Sequence, residues 1–480
     1  MSVIDIHTHE TLHESQGVSA KAKNTVSVPV NANVPIDYSV HEWSRFLGPF
    51  EANEFTNWID ESLSWKKTCY IGDWSPLLKI RVTGPEAKAF FEYISTNHWP
   101  TFEAFTGKSA IFCRSKDGAI MGEGVLLKVA EDDYIFTSVP GVPWAMFQFY
   151  SGARKFDAEL RVVTDDWYLF QVQGPNSVEL MEEATGSSLR DLQFMHAREV
   201  SINNFNFLCL RQGVSGERGF ELWGPAGQGQ SVYRAIVEIG EKYGIKRLGR
   251  RAKAVNHAEA AFPTPWLDFL PAVFDVEDPE VIAYRHFVQE QGLSAAAFLF
   301  AKCEGSYGED PKLHQRTPYD LGWGWLVNLH PDHHFVGREA LQTISASPPN
   351  KLVSLEWNSE DVADVYASLF REESFEYMEL PRTGNGPMPA SSVVLPTEIQ
   401  NNNGIASHTA SSIPIGVAVS RCYSYWFKKM ISLAIISREH AVPGKEVIVK
   451  WGNVGNPQKN IRAIVKKAPY KEDQRKKPFI

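Results

Sequence analysis

No stretch of the chain approaches the roughly 18 uninterrupted apolar residues that a membrane-spanning helix needs, so no span is expected. Cysteine is sparse. Cys69, Cys113, Cys209, Cys303 and Cys422 are scattered, odd in number and never spaced C-x-x-C. That pattern argues against a disulfide framework or a zinc site and predicts reduced thiols in a cytoplasmic protein. Positive charge is in deficit: 48 Lys and Arg face 57 Asp and Glu, a net −9, so a nucleic-acid partner, which would need a basic face, is not expected. Nucleotide-binding glycine signatures are missing too. GWGW (Gly322, Gly324) and TGNG (Gly384, Gly386) do not make G-x-G-x-x-G, and there is neither a P-loop nor a G-x-S-x-G elbow. The opening MSVIDIHTHETLHES lacks the charged region and apolar core of a secretory signal.

What is present is ordinary globular composition: 43% hydrophobic and 22% charged rules out a largely disordered chain. A length of 480 residues exceeds what one apolar core holds and predicts two to four domains. Residues 1–40 read as a polar leader. Within it, His7 and His9 would share one face of a strand, as metal ligands in hydrolases do, but no further ligand pattern accompanies them.

A repeated figure follows. Leu78, Ile80 and Val82 alternate as a half-buried strand, Gly84-Pro85 breaks it, and Ala87, Phe90, Phe91 and Ile94 recur at helical spacing. Tyr168, Phe170 and Val172, then Gly174-Pro175, then Val178, Met181 and Ala184 repeat it, with Gly186 as helix cap. Two strand–turn–helix units predict duplicated α+β modules; chance recurrence of a common turn is the alternative. Strands are predicted at Phe205–Leu210 and Gly219–Trp223, and a helix over Ser231–Tyr243. After Pro348-Pro349 come a strand at Leu352–Trp357 and a helix at Val362–Phe370, then strands at Ile415–Val419, Ile431–Ile436 and Glu446–Trp451, so the last third reads as a β-barrel or sandwich. The lysine-rich end, from Lys466 to Lys477, reads as a solvated tail.

The segment VSGERGFELWGP carries the most chemistry. In a strand, Glu221 and Trp223 share the face opposite Phe220 and Leu222, and a fixed carboxylate there can accept two parallel N–H bonds from an aminopyrimidine-like ring. A solvated strand residue is the plain alternative.

QVQGP (Gln171–Pro175), GERGFELWGP (Gly216–Pro225), LGRRAKAVNHAEA (Leu248–Ala260) and DLGWGWLVNLHPDHHFVGREAL (Asp320–Leu341) resemble, in order, motifs of the tetrahydrofolate-binding aminomethyltransferase family, the T-protein of glycine cleavage and its relatives. KLVSLEWNSEDVADVYASLF (Lys351–Phe370) and SLAIISREHAVPGKEVIVKWG (Ser432–Gly452) are similar to its folate-dependent aromatic O-demethylase branch, which acts on vanillate and syringate. The resemblance runs from about Phe46 to Trp451 and implies an α+β, three-domain cloverleaf: two ferredoxin-like α+β domains and a C-terminal β-barrel-like domain around a central folate channel. The expected boundaries are a leader to residue 45, a first module over 46–165, a second, interleaved in space with the first, over 166–347, and a β-rich domain over 348–480.

By that resemblance, Glu221 holds the pterin, Gln171 contacts folate, and Phe262 stands where the demethylases have a tryptophan. Lys253 replaces a folate-site arginine or a tyrosine. It would stabilise a developing phenoxide, contact folate or be a surface lysine. Glu123 lies about where aminomethyltransferases carry an aspartate, as an acid near folate N5 or as a turn residue. The substrate-contacting positions of vanillate-type enzymes fall near Ser75 or Pro76, Ser138 and Gly48, so those polar contacts are missing or moved. The implied function is methyl transfer from a methoxylated aromatic acid to tetrahydrofolate, with no metal. A non-aromatic donor, or folate binding without turnover, is the alternative.

Overall fold

The computed structural model describes residues 3–5, 27–29, 33–292, 299, 302–382, 389–402, 405–410 and 413–479. His7, His9, Gly384 and Gly386 lie outside the described residues.

Three large sheets carry the molecule. The first runs in the order Glu159–Val162, Lys79–Thr83, Asp133–Thr137, Ile120–Ala130, Thr106–Cys113. Helices Ala87–Ile94 and Gly141–Ser151 bury Phe90, Phe91, Trp144 and Met146 against it. The second sheet runs Ala197–Ile202, Phe205–Leu210, Gly219–Pro225, Trp167–Gln173, Cys69–Asp73, Ile245–Arg247. Its core holds Phe170, Val172, Phe220 and Leu222 beneath helices Ser177–Thr185 and Gly229–Gly240. The chain crosses between the two modules: Cys69–Asp73 precedes every strand of the first sheet yet pairs with Trp167–Gln173 in the second. Helix Pro279–Glu290 follows the second sheet yet packs on the first module, with the Trp144 and Tyr284 rings 5.4 Å apart.

The repeated figure is real at the level of backbone conformation. Gly84 (φ 121°) and Gly174 (φ 128°) occupy the same left-handed region, after strands Lys79–Thr83 and Trp167–Gln173. A Cβ at Gly174 would sit 2.5 Å from the Thr68 carbonyl, so the turn demands glycine there. Each helix begins two residues beyond the proline, at Ala87 and Ser177, and Gly186 (φ 65°) caps the second as expected.

The third sheet runs Ile405–Ala410, Ser392–Asn402, Gly416–Ser424, Lys429–Ser437, Asn350–Trp357, Lys459–Lys466, Glu446–Trp451. Pairing of Leu395 with Ile448 joins the second and last strands of that order, closing six strands into a barrel. Helix Ser359–Ser368 packs Val362 and Val365 onto the barrel core.

The lysine-rich end is not a solvated tail. Lys459–Lys466 is a barrel strand, and beyond it Lys471 is buried and ion-paired to Glu217. Gln474 donates its backbone N–H to Gly216, Arg211 donates to the Arg475 and Lys477 carbonyls, and the Phe479 ring rests on Phe220. A run of lysines signals solvation only when its backbone has no partner, and here the neighbouring module supplies carbonyls and a carboxylate. All five cysteines are free and buried. Among the described residues no helix is long and apolar enough to cross a membrane.

Candidate active site

A cavity of about 1250 Å³ lies where the three sheets meet. The first sheet gives it Glu123, Val125, Thr137 and Ser138, the second Leu169, Gln171 and Glu221, and the barrel Ser420, Arg421 and Trp451.

Its polar floor follows from strand register. Strands Trp167–Gln173 and Gly219–Pro225 are antiparallel with Gln171 opposite Glu221. Phe170, Val172, Phe220 and Leu222 are drawn into the core, so the alternate residues must face the cavity. Glu221 accepts from Gln171 Nε2 at 2.9 Å and from Trp223 Nε1 at 3.3 Å. Gln173 donates to Gln171 Oε1 at 3.2 Å and accepts from the Tyr70 hydroxyl at 2.9 Å. Burial outweighs those bonds and pushes the Glu221 carboxyl up to about 7.

Glu123 lies on the cavity face of strand Ile120–Ala130. Its neighbours Gly122 and Gly124 point the other way, where a Cβ would strike Gly141 and the Thr137 carbonyl. Among the described residues no side chain bonds its carboxyl, and burial raises it to about 7. Lys253, on helix Arg250–Glu259, has its ammonium 4.6 Å from the Trp74 ring and 5.0 Å from Phe46. It donates to Glu51 Oε2 and to the Asp73 carbonyl, both at 2.7 Å. Arg250 takes the other Glu51 oxygen at 2.9 Å. These two cations hold Glu51 below the usual carboxylate range despite its desolvation, and the trio keeps one net positive charge. Phe46, Leu47 and Gly48 enter from the tip of a hairpin, Trp43–Arg45 with Phe50–Ala52.

A third cluster sits on the barrel side. His257 Nδ1 lies 3.2 Å from the Lys253 carbonyl, which can only accept, so a neutral ring keeps its proton there. Nε2 is then free to accept from Ser420 Oγ at 2.9 Å. Ser420 has φ 48° at a bulge in strand Gly416–Ser424. Asp268 lies behind, 3.6 Å from Nε2, its carboxyl raised by burial.

The cavity thus gathers Gln171, Glu221, Glu123, Lys253, Phe262 and Ser138, and Gly48 as well. Ser75 does not reach it as a ligand group: its hydroxyl donates to Asp73 and accepts from the Leu169 N–H. Ser138 lines the wall, but its hydroxyl donates to the Glu123 carbonyl and accepts from Gly141. Asn256, His257, Ser420, Glu51 and Arg421 were not singled out from sequence. Asn256 and His257 had a signal, being three and four residues after Lys253 on one helix face. Glu51, Ser420 and Arg421 had none, because only the tertiary fold brings a hairpin and a barrel strand to this wall.

The donor set suits a pterin. Glu221 and Gln171 offer acceptors and donors for a fused aminopyrimidinone, with Phe262 as an aromatic wall.

Residues 17–272 match the family model described as the GCVT N-terminal domain. The chain is 32% identical over 432 residues to a sesamin methylene transferase of Sinomonas sp. (strain No.22), covering 87% of this chain and 89% of that protein. It is 29% identical over 474 residues to a syringate O-demethylase of Sphingobium sp. (strain NBRC 103272 / SYK-6), covering 94% and 96%. An aminomethyltransferase of Thermotoga maritima is 23% identical, covering 64% and 72%. The crystal structure of the glycine cleavage system aminomethyltransferase T from Bartonella henselae superposes with a TM-score of 0.63 at 18% identity, covering 91% of this chain and 95% of that one, which shows a shared fold.

Proposed function

The chain belongs to the GCVT family and is a tetrahydrofolate-dependent methyl-transferring enzyme, and from that premise we propose that its donor is an aryl methyl ether, specifically a methoxylated aromatic acid. The observation that carries this reading is that Lys253, Arg250 and Glu123 line the same cavity as the apolar side chains of Phe46, Trp74, Leu77 and Leu169.

Tetrahydrofolate supplies the nucleophilic ring nitrogen that receives the carbon. The protein does the rest. Gln171 and Glu221 hold the pterin edge, and Phe262 covers its face. An aryl ether leaves as a phenoxide, so the barrier depends on stabilising charge that develops on its oxygen. The net positive charge of the Lys253–Arg250–Glu51 trio serves that charge and costs no reorganisation. Glu123, lifted to about 7, retains its proton near neutrality and can deliver it to the departing oxygen. With the Ser75 and Ser138 hydroxyls already engaged, a substrate carboxylate falls to the arginines that line the cavity, Arg45 of the hairpin among them. Similarity to a methylene transferase supports a second reading, in which the donor carbon is a methylene bridge.

The test is incubation with tetrahydrofolate and a panel of methoxybenzoates and methylenedioxybenzenes, with mass-spectrometric detection of the folate product. The expected product is 5-methyltetrahydrofolate with the matching phenol. Formation of methylenetetrahydrofolate selects the second reading. Absence of carbon transfer from every aryl ether overturns both.

A further inference from the structure

Among the described residues, the polar floor of the cavity holds a buried amide with no hydrogen bond of ordinary geometry. Asn256 lies on helix Arg250–Glu259, between Val255, which is buried in the core, and His257, which faces the barrel. Its side chain is about 1% exposed, it lines the cavity, and its Nδ2 is buried with no hydrogen-bond partner. The amide lies beside the Tyr70 hydroxyl, near enough for a loose hydrogen bond that favours the charged phenol, but the contact falls short of ordinary hydrogen-bond geometry, and Tyr70 spends its own proton on Gln173 Oε1 at 2.9 Å.

Buried amides without partners are rare in folded proteins because the lost hydration is not replaced. The neighbours say what would replace it. Asn256 adjoins Tyr70, Tyr70 bonds Gln173, Gln173 bonds Gln171, and Gln171 bonds Glu221, so the amide ends a continuous row of donors and acceptors. The carboxyl at one end suits the N–H groups of an aminopyrimidine edge. A donor at the other end suits a ring carbonyl.

We propose that Asn256 is a ligand-binding residue of this site, donating its amide to an acceptor on a fused aminopyrimidinone ring. This rests on the folate reading above and adds a residue to it. In the ligand-free protein the amide is a defect; in the complex it is a contact. The two roles have opposite signs, which separates them experimentally.

The experiment uses the full chain with Asn256→Leu, which keeps the branched shape and removes the polar atoms, and Asn256→Asp, which keeps the shape and removes the donors. Affinity for tetrahydrofolate and for a reduced 6-methylpterin, which has the ring alone, is measured by anaerobic titration, and ligand-free protein is melted in parallel. The expected result is about tenfold weaker binding of both ligands by both variants, with a melting temperature for the Leu variant equal to or above wild type. Unchanged affinity in both variants overturns the proposal. A lower melting temperature in both variants assigns Asn256 to the fold and overturns it equally. Wild-type protein that binds neither ligand brings down the folate reading, and this inference with it.

Discussion

At the scale of single residues, the cavity is organised by charges that burial prevents from behaving ordinarily. Lys253 is neither a surface lysine nor a bare cation: two of its N–H donors are spent on Glu51 and Asp73. Lys253→Met keeps the stem against Trp74 and Phe46 and leaves Glu51 with Arg250 alone. If the trio stabilises the leaving oxygen, kcat falls by about 10²-fold with folate affinity nearly unchanged. Steady-state kinetics beside a binding titration checks this. An affinity loss with kcat recovered at saturation would place Lys253 on folate instead. Glu123 yields a pH prediction whose sign follows from its shift. Its ordinary value is 4.5 and burial raises it to about 7, so the protonated form persists below about 7 and is lost above. Turnover that uses Glu123 as an acid therefore declines as pH rises through about 7, and Glu123→Gln removes that limb of the profile. Stability shares the sign: between 4.5 and about 7 the folded chain keeps a proton that the unfolded chain releases, so the Glu123 contribution diminishes as pH rises. Melting curves of wild type and Glu123→Gln across that window should converge at its acid end.

At the scale of elements, what was legible in sequence was what depends on local periodicity. Phe205–Leu210 and Glu446–Trp451 are strands with the predicted bounds, and the alternation of Phe220 and Leu222 with Glu221 and Trp223 gave the faces of the strand that holds Glu221. The resemblance of motifs carried the choice of Gln171, Glu221 and Lys253, and the cavity contains all three. What was not legible depends on contacts far apart in sequence. Strand Ile120–Ala130 has glycines at 122 and 124 that weaken any strand pattern, yet they are there because helix Gly141–Ser151 and strand Asp133–Thr137 crowd that face. Ser75 is a site residue by resemblance alone, and resemblance does not show that Asp73 and Leu169 already occupy its hydroxyl. The register that sets Gln171 opposite Glu221 starts at Gly219, with φ 153°, where a Cβ would lie 2.3 Å from the Val172 carbonyl. Gly219→Ala must therefore shift one strand against the other. Folate binding is expected to weaken at least tenfold, together with a loss of thermal stability. A titration with wild-type affinity would show that the strand pair tolerates the methyl group without moving Glu221.

At the scale of the whole molecule, the cavity belongs to no single module, and its geometry depends on what clamps the modules together. One clamp is the buried Lys66–Glu259 ion pair, whose carboxylate also accepts from Trp65 and the barrel's Ser424. A buried pair of this kind adds little net stability but fixes which surfaces meet, since leaving either charge unpaired is costly. The other clamp is the C-terminal segment. Lys471 and Gln474 hold Gly216, Arg475 donates to the Gly213 carbonyl, and Lys471 pairs with Glu217, so the segment grips the turn between Leu210 and Gly219. That turn brings Gln212 and Val214 to the cavity and gives the Ser215 N–H to Gln173 at 3.1 Å, next to the row that ends on Glu221. Removing residues 471–480 leaves every strand of the barrel in place and frees the turn. The expected consequence is a melting temperature lower by a few degrees, of the order that about 1 kcal/mol produces in a domain of this size, with folate affinity reduced about three- to tenfold. Adding back the Lys471–Glu217 pair alone, in a chain ending at Lys471, should restore part of the affinity, because that pair holds the turn two residues from Ser215, which bonds Gln173. Equal affinity in the full-length and shortened chains would mean that the turn keeps its shape unaided and that the C-terminal segment bears on stability alone.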